Sequence, residues 1–263
     1  DQYRARGYSV LAITDHDVVS DAAGGSTESF LIIDGVEFGI MPFDDDRFYH
    51  LLCVNAPAGL TVPEKTDMNQ AIAQVKASGA ECFIAHPYWS SNTIRELAPL
   101  KGYTGIEVFN SGCQGIGKGC SSVHWDQLLG AGIRTPAIGV DDVHSLDGSL
   151  DRFGGWTMLK MPELSLPAVL DALRTGCCYA SSGAEILDFQ VDGTAASLRC
   201  PPAREIHFMA NSYCGASFYA GDGPLLTEAQ ADLGGMCKYI RAEVVDTKGK
   251  RAWTNPVFTQ KGT

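Results

Sequence analysis

Six histidines occur in the chain, and four of them sit at the end of, or inside, a short apolar run. His16 closes Ile13-Thr14-Asp15-His16-Asp17 after Val10-Leu11-Ala12. His50 lies in Tyr49-His50-Leu51-Leu52, His86 in Phe83-Ile84-Ala85-His86-Pro87, and His144 in Ile138-Gly139-Val140-Asp141-Asp142-Val143-His144. Glu37, in Val36-Glu37-Phe38, and Asp142 occupy equivalent positions. One histidine at such a place is ordinarily a satisfied structural residue. Six ligand-type residues delivered by successive apolar runs point instead to a metal cluster at one face of a barrel or sheet. Neutral imidazole combined with carboxylate suits Zn, Mn or Fe. Several carboxylates also allow bridging between ions roughly 3.5–4 Å apart, the geometry of two-metal hydrolysis.

The elements that would position these residues alternate. Strands are predicted at 9–14, 30–34, 36–40, 49–55, 81–86, 105–110, 135–140 and 155–160, and helices at 67–78, 93–97, 123–131 and 166–175. Asp67 is a plausible cap for the first long helix and Gly79 its stop. Short apolar strands between amphipathic helices predict a mostly parallel sheet or barrel, and ligands at strand C-termini fit the functional face of a β/α barrel. From about Cys177 the pattern changes to short strands, at 186–191, 205–209, 217–219 and 239–246, separated by Gly, Pro, Asn and Asp; 227–232 reads as one helical turn. Two domains follow, residues 1–176 and 177–263, the second β-rich.

The 263-residue chain is long enough to bury a substantial core, and its formal net charge is -11. That charge disfavours electrostatic binding to nucleic acid or to an anionic membrane, without excluding a small phosphorylated substrate. Nine cysteines in no paired spacing point to buried thiols in a reducing, cytoplasmic setting rather than to a disulfide scaffold. No apolar run approaches the roughly 20 residues of a membrane helix. Nothing in the sequence sets an oligomeric state.

Thr14-Asp15-His16-Asp17, Gly35-Val36-Glu37, His50-Leu51-Leu52, Ala85-His86-Pro87, Gly105-Ile106-Glu107-Val108 and Asp142-Val143-His144-Ser145 resemble, in order, the motifs of the PHP (polymerase and histidinol phosphatase) family. The likeness covers residues 1 to about 176. It implies an α/β fold, a distorted (β/α)7 barrel with a trinuclear metal site, and phosphoesterase chemistry. Carried over by position, it makes His16, Glu37, His50, His86, Asp142 and His144 metal ligands, with Glu37 bridging two ions and Asp15 supporting a ligand from behind. Asp142 is preferred to Asp141 because it stands two before His144. Catalysis would run through the metal-held carboxylates Glu37 and Asp142, with two or three divalent ions activating water and no side-chain nucleophile. The family's opening His-x-His, and the loop Asp after it, do not occur. With residues 1–7 patterned like the end of a helix closing at Gly7, the expectation is a truncated piece of a longer polypeptide. Alternatives of other classes are a metallohydrolase of carboxyl esters, amides or carbamates, and a catalytically degenerate PHP-like binding module.

Weaker features accompany the ligand set. Residues 110–119 are glycine-rich after a strand but lack the Gly-Lys-Ser/Thr ending of a nucleotide loop; Lys118 there is a candidate phosphate contact. Arg152 could grip a phosphate in bidentate fashion. Glu107 reads as structural first and ligating second. Tyr88 and Trp89 could wall a pocket, with packing as the default. His124 and His207 belong to no motif and read as structural. Residues 179–183 and 249–256 resemble the C-terminal extension of some stand-alone PHP-like hydrolases, which implies a small β-sandwich.

Overall fold

A computed structural model describes residues 1–42, 47–144 and 151–259. Along the chain run β1 (Val10–Ile13), β2 (Leu31–Ile40), β3 (Tyr49–Val54), α1 (Met68–Ala77), β4 (Glu81–Ile84), α2 (Ile94–Leu97), β5 (Gly105–Asn110), α3 (Ser111–Gln114), α4 (Ser122–Gly130) and β6 (Ala137–Val140). There follow β7 (Trp156–Leu159), α5 (Leu166–Thr175), β8 (Cys178–Ser181), β9 (Asp188–Asp192), β10 (Ala195–Ala210), β11 (Gly215–Tyr219), β12 (Leu226–Asp232), β13 (Tyr239–Asp246), β14 (Arg251–Thr254) and β15 (Val257–Phe258). The architecture is mixed α/β with a separate β-rich sheet. The chain divides into two compact units, one of Asp1–Glu107 with Leu159–Cys177, the other of Val108–Met158 with Cys178–Thr263.

In the first unit the sheet order is β1-β2-β3-β4-β5. β1 pairs with β2, and β4 with β5, in parallel, but β3 runs antiparallel to both β2 and β4. The sheet is therefore mixed rather than mostly parallel. For β2 and β3 the reason is connection length: only residues 41–48 separate them, and a parallel crossover needs a dozen or more. The expected strands 30–34 and 36–40 are one strand, β2. Gly35 does not break it; a Cβ there would stand 2.3 Å from the Cys53 carbonyl oxygen and 2.7 Å from Thr14 Cγ2, so glycine lets neighbouring strands close up. The core gathers Val36, Phe38, Leu51, Cys53, Phe83 and Ile84 with the buried face of α1, Met68, Ala71, Ile72 and Val75. That i, i+3, i+4, i+7 spacing, with the Gln70 N–H donating to Asp67 Oδ1 at 3.1 Å, makes the segment a helix. α5 starts on Ser165 and ends at Gly176, whose φ of 73° closes the helix in the left-handed region.

The second unit is dominated by a nine-stranded sheet in the order β11-β10-β13-β14-β8-β7, with β9 and β12 also on β10 and β15 on β13. β10, sixteen residues long, absorbs the expected strand 205–209 and serves different partners in its two halves. Its register with β12 shifts between Arg199 and Ala203, where Pro201 and Pro202 offer no N–H to a ladder. Residues 227–232 form strand β12, not a helical turn. Ala, Glu and Gln favour helix weakly, and pairing with β10 outweighs that preference. One face of the sheet buries Leu198, Ile206, Phe208, Ile240, Ala242 and Val244. Among the described residues no helix is long and apolar enough to cross a membrane.

Candidate metal centre

β1 and β2 bring His16 to Glu37. The Glu37 N–H donates to the Asp15 carbonyl at 3.1 Å, and the Asp17 N–H to the Glu37 carbonyl at 3.0 Å, so the parallel ladder continues past the end of β1. Asp15 takes part through this carbonyl, and its side chain is exposed. Asp17 adopts a φ of 57° and accepts the Gly39 N–H on Oδ1 at 3.1 Å. Opposite Gly39 on β3 stands His50, and β4 delivers His86 two residues past its end.

These residues converge on one carboxylate. Glu37 is 5% exposed. Its Oε1 touches His50 Nδ1 and lies 3.5 Å from His86 Nε2, while the two imidazole nitrogens are 3.0 Å apart. His16, Glu37 and His50 each offer a ligand atom, all within 4.8 Å of one another. His86 Nδ1 lies 3.1 Å from Ser90 Oγ, which fits a proton on Nδ1 and leaves Nε2 to face the cluster. Backbone geometry holds His86 in place: its φ is 27°, and its N–H donates to Glu107 Oε2 at 2.8 Å. Trp89 sits against both imidazoles, with ring centroids 4.9 Å from His86 and 6.0 Å from His50, and Phe48 closes on His50 at 4.5 Å.

Burial pushes the Glu37 carboxyl up, but the imidazoles of His50 and His86 beside it outweigh burial and hold the group at about 2. The cluster therefore carries a carboxylate at neutral pH. Glu37 Oε1 is sealed from solvent without a hydrogen bond of acceptable geometry, although imidazole nitrogens crowd it. A buried anionic oxygen among imidazoles fits a divalent cation, since it leaves every donor atom a partner. The donor types of His16, Glu37 and His50, with His86 Nε2 3.5 Å from the same carboxylate oxygen, fit such an ion.

Asp142 and His144 belong to the second unit, at the end of β6. Asp142 has a φ of 58° and accepts Asn110 Nδ2 on Oδ2 at 3.0 Å. His144 Nδ1 lies 3.1 Å from the Asp142 carbonyl oxygen and 3.5 Å from its Oδ1, and the His144 side chain is exposed. Asp141 has a different task. It accepts the N–H groups of Phe153, Gly154 and Gly155 at 2.8, 2.9 and 2.8 Å. Arg152 places its guanidinium 5.8 Å from the Phe153 ring centre. Lys118 is on the turn after α3, its N–H donating to the Cys113 carbonyl at 3.1 Å. Ser145, the last residue of its motif, lies outside the described residues.

The chain superposes on a two-domain protein containing a predicted PHP-like metal-dependent phosphoesterase from Bacteroides vulgatus, with a TM-score of 0.52 and 15% identity over 98% of this chain and 88% of that one. The fold is PHP-like. A proposed metal-dependent phosphoesterase from Bifidobacterium adolescentis matches at a TM-score of 0.45 and 15% identity, over 65% of this chain and 87% of that one. No protein-family model and no curated protein sequence matches.

The residues missed from sequence are those that contact the candidate ligands. Ser90 meets the His86 ring, Asn110 meets Asp142, and Phe48 packs on His50. Ser90 stands four residues after His86, a spacing that closes one turn, with the Ser90 N–H donating to the His86 carbonyl at 3.1 Å. Asn110, as a polar strand end, carried a local signal; Phe48 carried none.

Proposed function

We propose that the chain is a metal-dependent phosphoesterase that hydrolyses a small phosphorylated metabolite or nucleotide in the cytoplasm. The observation that carries this is Glu37 Oε1 between the ring nitrogens of His50 and His86, with His16 alongside. The proposed ligand set is His16, Glu37, His50, His86, Asp142 and His144, for two or three Zn, Mn or Fe ions. The closed (β/α)7 barrel implied by the sequence motifs is part of the same proposal, as are phosphate contacts from Lys118 and Arg152.

Bound divalent ions would supply a water of lowered pKa and a counter-charge for phosphate oxygens. The chain's own residues supply position. Glu37, kept ionised, holds charge and does not donate a proton. Ser90 and Glu107 fix the ring and the backbone of His86. Phe48 and Trp89 shield the imidazoles from water on one side, which strengthens their electrostatic hold.

The test measures metal content after reconstitution with Zn, Mn and Fe, together with phosphate release from a panel of monoesters and diesters. Stoichiometric metal and turnover that both fall at least a hundredfold in Glu37→Gln support the proposal. Turnover confined to carboxyl esters, amides or carbamates in the same panel would support the alternative hydrolase. Metal retained with no turnover on any class would indicate a binding module.

A further inference from the structure

The second unit carries a nucleophile-type relay that the metal chemistry does not use. On β10, Glu205 and His207 are two residues apart and so share a face; across the ladder, His207 pairs with Ser217 and Glu205 with Tyr219 of β11. Ser217 Oγ lies 2.9 Å from His207 Nδ1, and His207 Nε2 lies 2.9 Å from Glu205 Oε2. One tautomer satisfies both contacts: Nε2–H donates to Glu205, and Nδ1 accepts the Ser217 hydroxyl. A nucleophile, a base within hydrogen-bond reach and a third group orienting that base are the parts of an activated serine.

The face on which the relay sits has a cavity. Met209 and Arg241 pair across β10 and β13 on that face, and Arg241 is held by Asp126 of α4. A cavity of about 580 Å³ is lined by Val123, Asp126 and Gln127 of α4 and by the β10–β11 hairpin as far as Ser217. Ser217 is exposed while His207 is 9% exposed, the division expected of a reachable nucleophile and a shielded base. Gln127 brings a side-chain amide, a donor type that stabilises an acyl oxyanion. None of the described residues lining the cavity is Lys or Arg, so an anionic substrate would find no counter-charge there.

We propose that Ser217 is an acyl-accepting nucleophile activated by His207 and positioned by Glu205, acting on small uncharged carboxylic esters independently of metal. In the first step Ser217 Oγ bonds to the acyl carbon and its proton passes to His207 Nδ1. The ester C–O bond breaks, and the alcohol leaves with that proton. Water then adds to the acyl carbon, gives its proton to the same nitrogen, and Ser217 recovers it as the acid departs.

The experiment treats the full chain in EDTA with a fluorophosphonate serine probe and with p-nitrophenyl butyrate, and maps the adduct by peptide mass spectrometry. A single adduct at Ser217 and a burst of p-nitrophenol are expected, both absent in Ser217→Ala. His207→Gln should slow labelling about a hundredfold or more. Since His207 is buried and its replacement could unfold the sheet, Glu205→Gln is the second variant, with circular dichroism checking both. Glu205 is a positioning residue, so Glu205→Gln should lower kcat for p-nitrophenyl butyrate about tenfold or more with KM nearly unchanged, and Glu205→Asp should recover part of that loss. The other groups facing His207 are Tyr219, at 5.5 Å between rings, and Glu243, which pairs with Arg251 and lies 3.8 Å from Arg241. Ser217 labelled no faster than other exposed serines, or a folded Glu205→Gln with the labelling rate and kcat of the parent, would overturn the proposal and leave the relay as a structural hydrogen-bond chain.

Discussion

The backbone N–H of His86 donates to the buried carboxylate of Glu107 at 2.8 Å, at a residue whose φ of 27° lies outside the favoured regions. Glu107, within the neighbouring strand β5, thereby holds the turn that aims His86 at Glu37. A strained backbone of this kind persists only where its surroundings over-determine it. Glu107→Ala should lower metal affinity about ten- to a hundredfold, read by titration with Mn or Zn, while Glu107→Gln, which keeps an oxygen acceptor, should retain more. Equal affinity in the Ala variant and the parent would remove Glu107 from the support of the site.

Adjacent aspartates should separate cleanly. Asp141 accepts three backbone N–H groups from residues 153–155, so Asp141→Ala leaves three donors to re-pair and should cost about 2 kcal/mol of stability in urea unfolding. Asp142→Ala removes the hydrogen bond from Asn110 and the 3.5 Å contact with His144, and puts alanine at a φ of 58°. It should cost less stability than Asp141→Ala, by about 1 kcal/mol, and reduce metal binding. Reversed phenotypes would exchange the roles of the two residues.

Glu81 sets an acid limit on stability. Burial raises its carboxyl, but hydrogen bonds from Lys76, Thr104 and Arg174, with the Lys76 charge, outweigh burial and hold it below the usual carboxylate range. A depressed folded value means its stabilisation is complete above the unfolded value of about 4.3 and is lost as pH falls through the folded one. Glu81→Gln should therefore destabilise the protein by about 2 kcal/mol at pH 7 and flatten the decline of stability below about pH 5. Parallel stability curves for the two proteins from pH 7 to pH 3 would contradict this.

Arg241 is a fully buried cation in the second unit. Burial lowers its pKa, but Asp126 and Glu243 more than restore it, so it stays charged. Asp126 meets it in bidentate fashion at 2.7 and 2.6 Å, and the Trp125 ring covers it at 5.1 Å. Asp126→Ala should cost about 3 kcal/mol, because the buried guanidinium loses its partner. Arg241→Met with Asp126→Ala should recover much of that loss in thermal unfolding.

The sequence by itself determined the local parts. Apolar runs ending in His, Asp or Glu marked where ligands emerge, because that signal needs only the strand and its end. The bounds of β5, α5 and β13 follow from caps and periodicity, and the Asp67 cap was visible as a residue type. The ordered motifs also pointed to a PHP-like fold. Only the tertiary structure decided which strands run against each other, because direction depends on connections and pairing that no single segment contains. It turned residues 227–232 into a strand through β10, and made Gly35 a place of close approach rather than a break. It also chose the partners of polar side chains. Glu107 on His86, Asn110 on Asp142, and Ser217 with Glu205 on His207 each join residues whose meeting is set by ladder register or by a turn. A register slip of one residue would send each of those strand side chains to the opposite face.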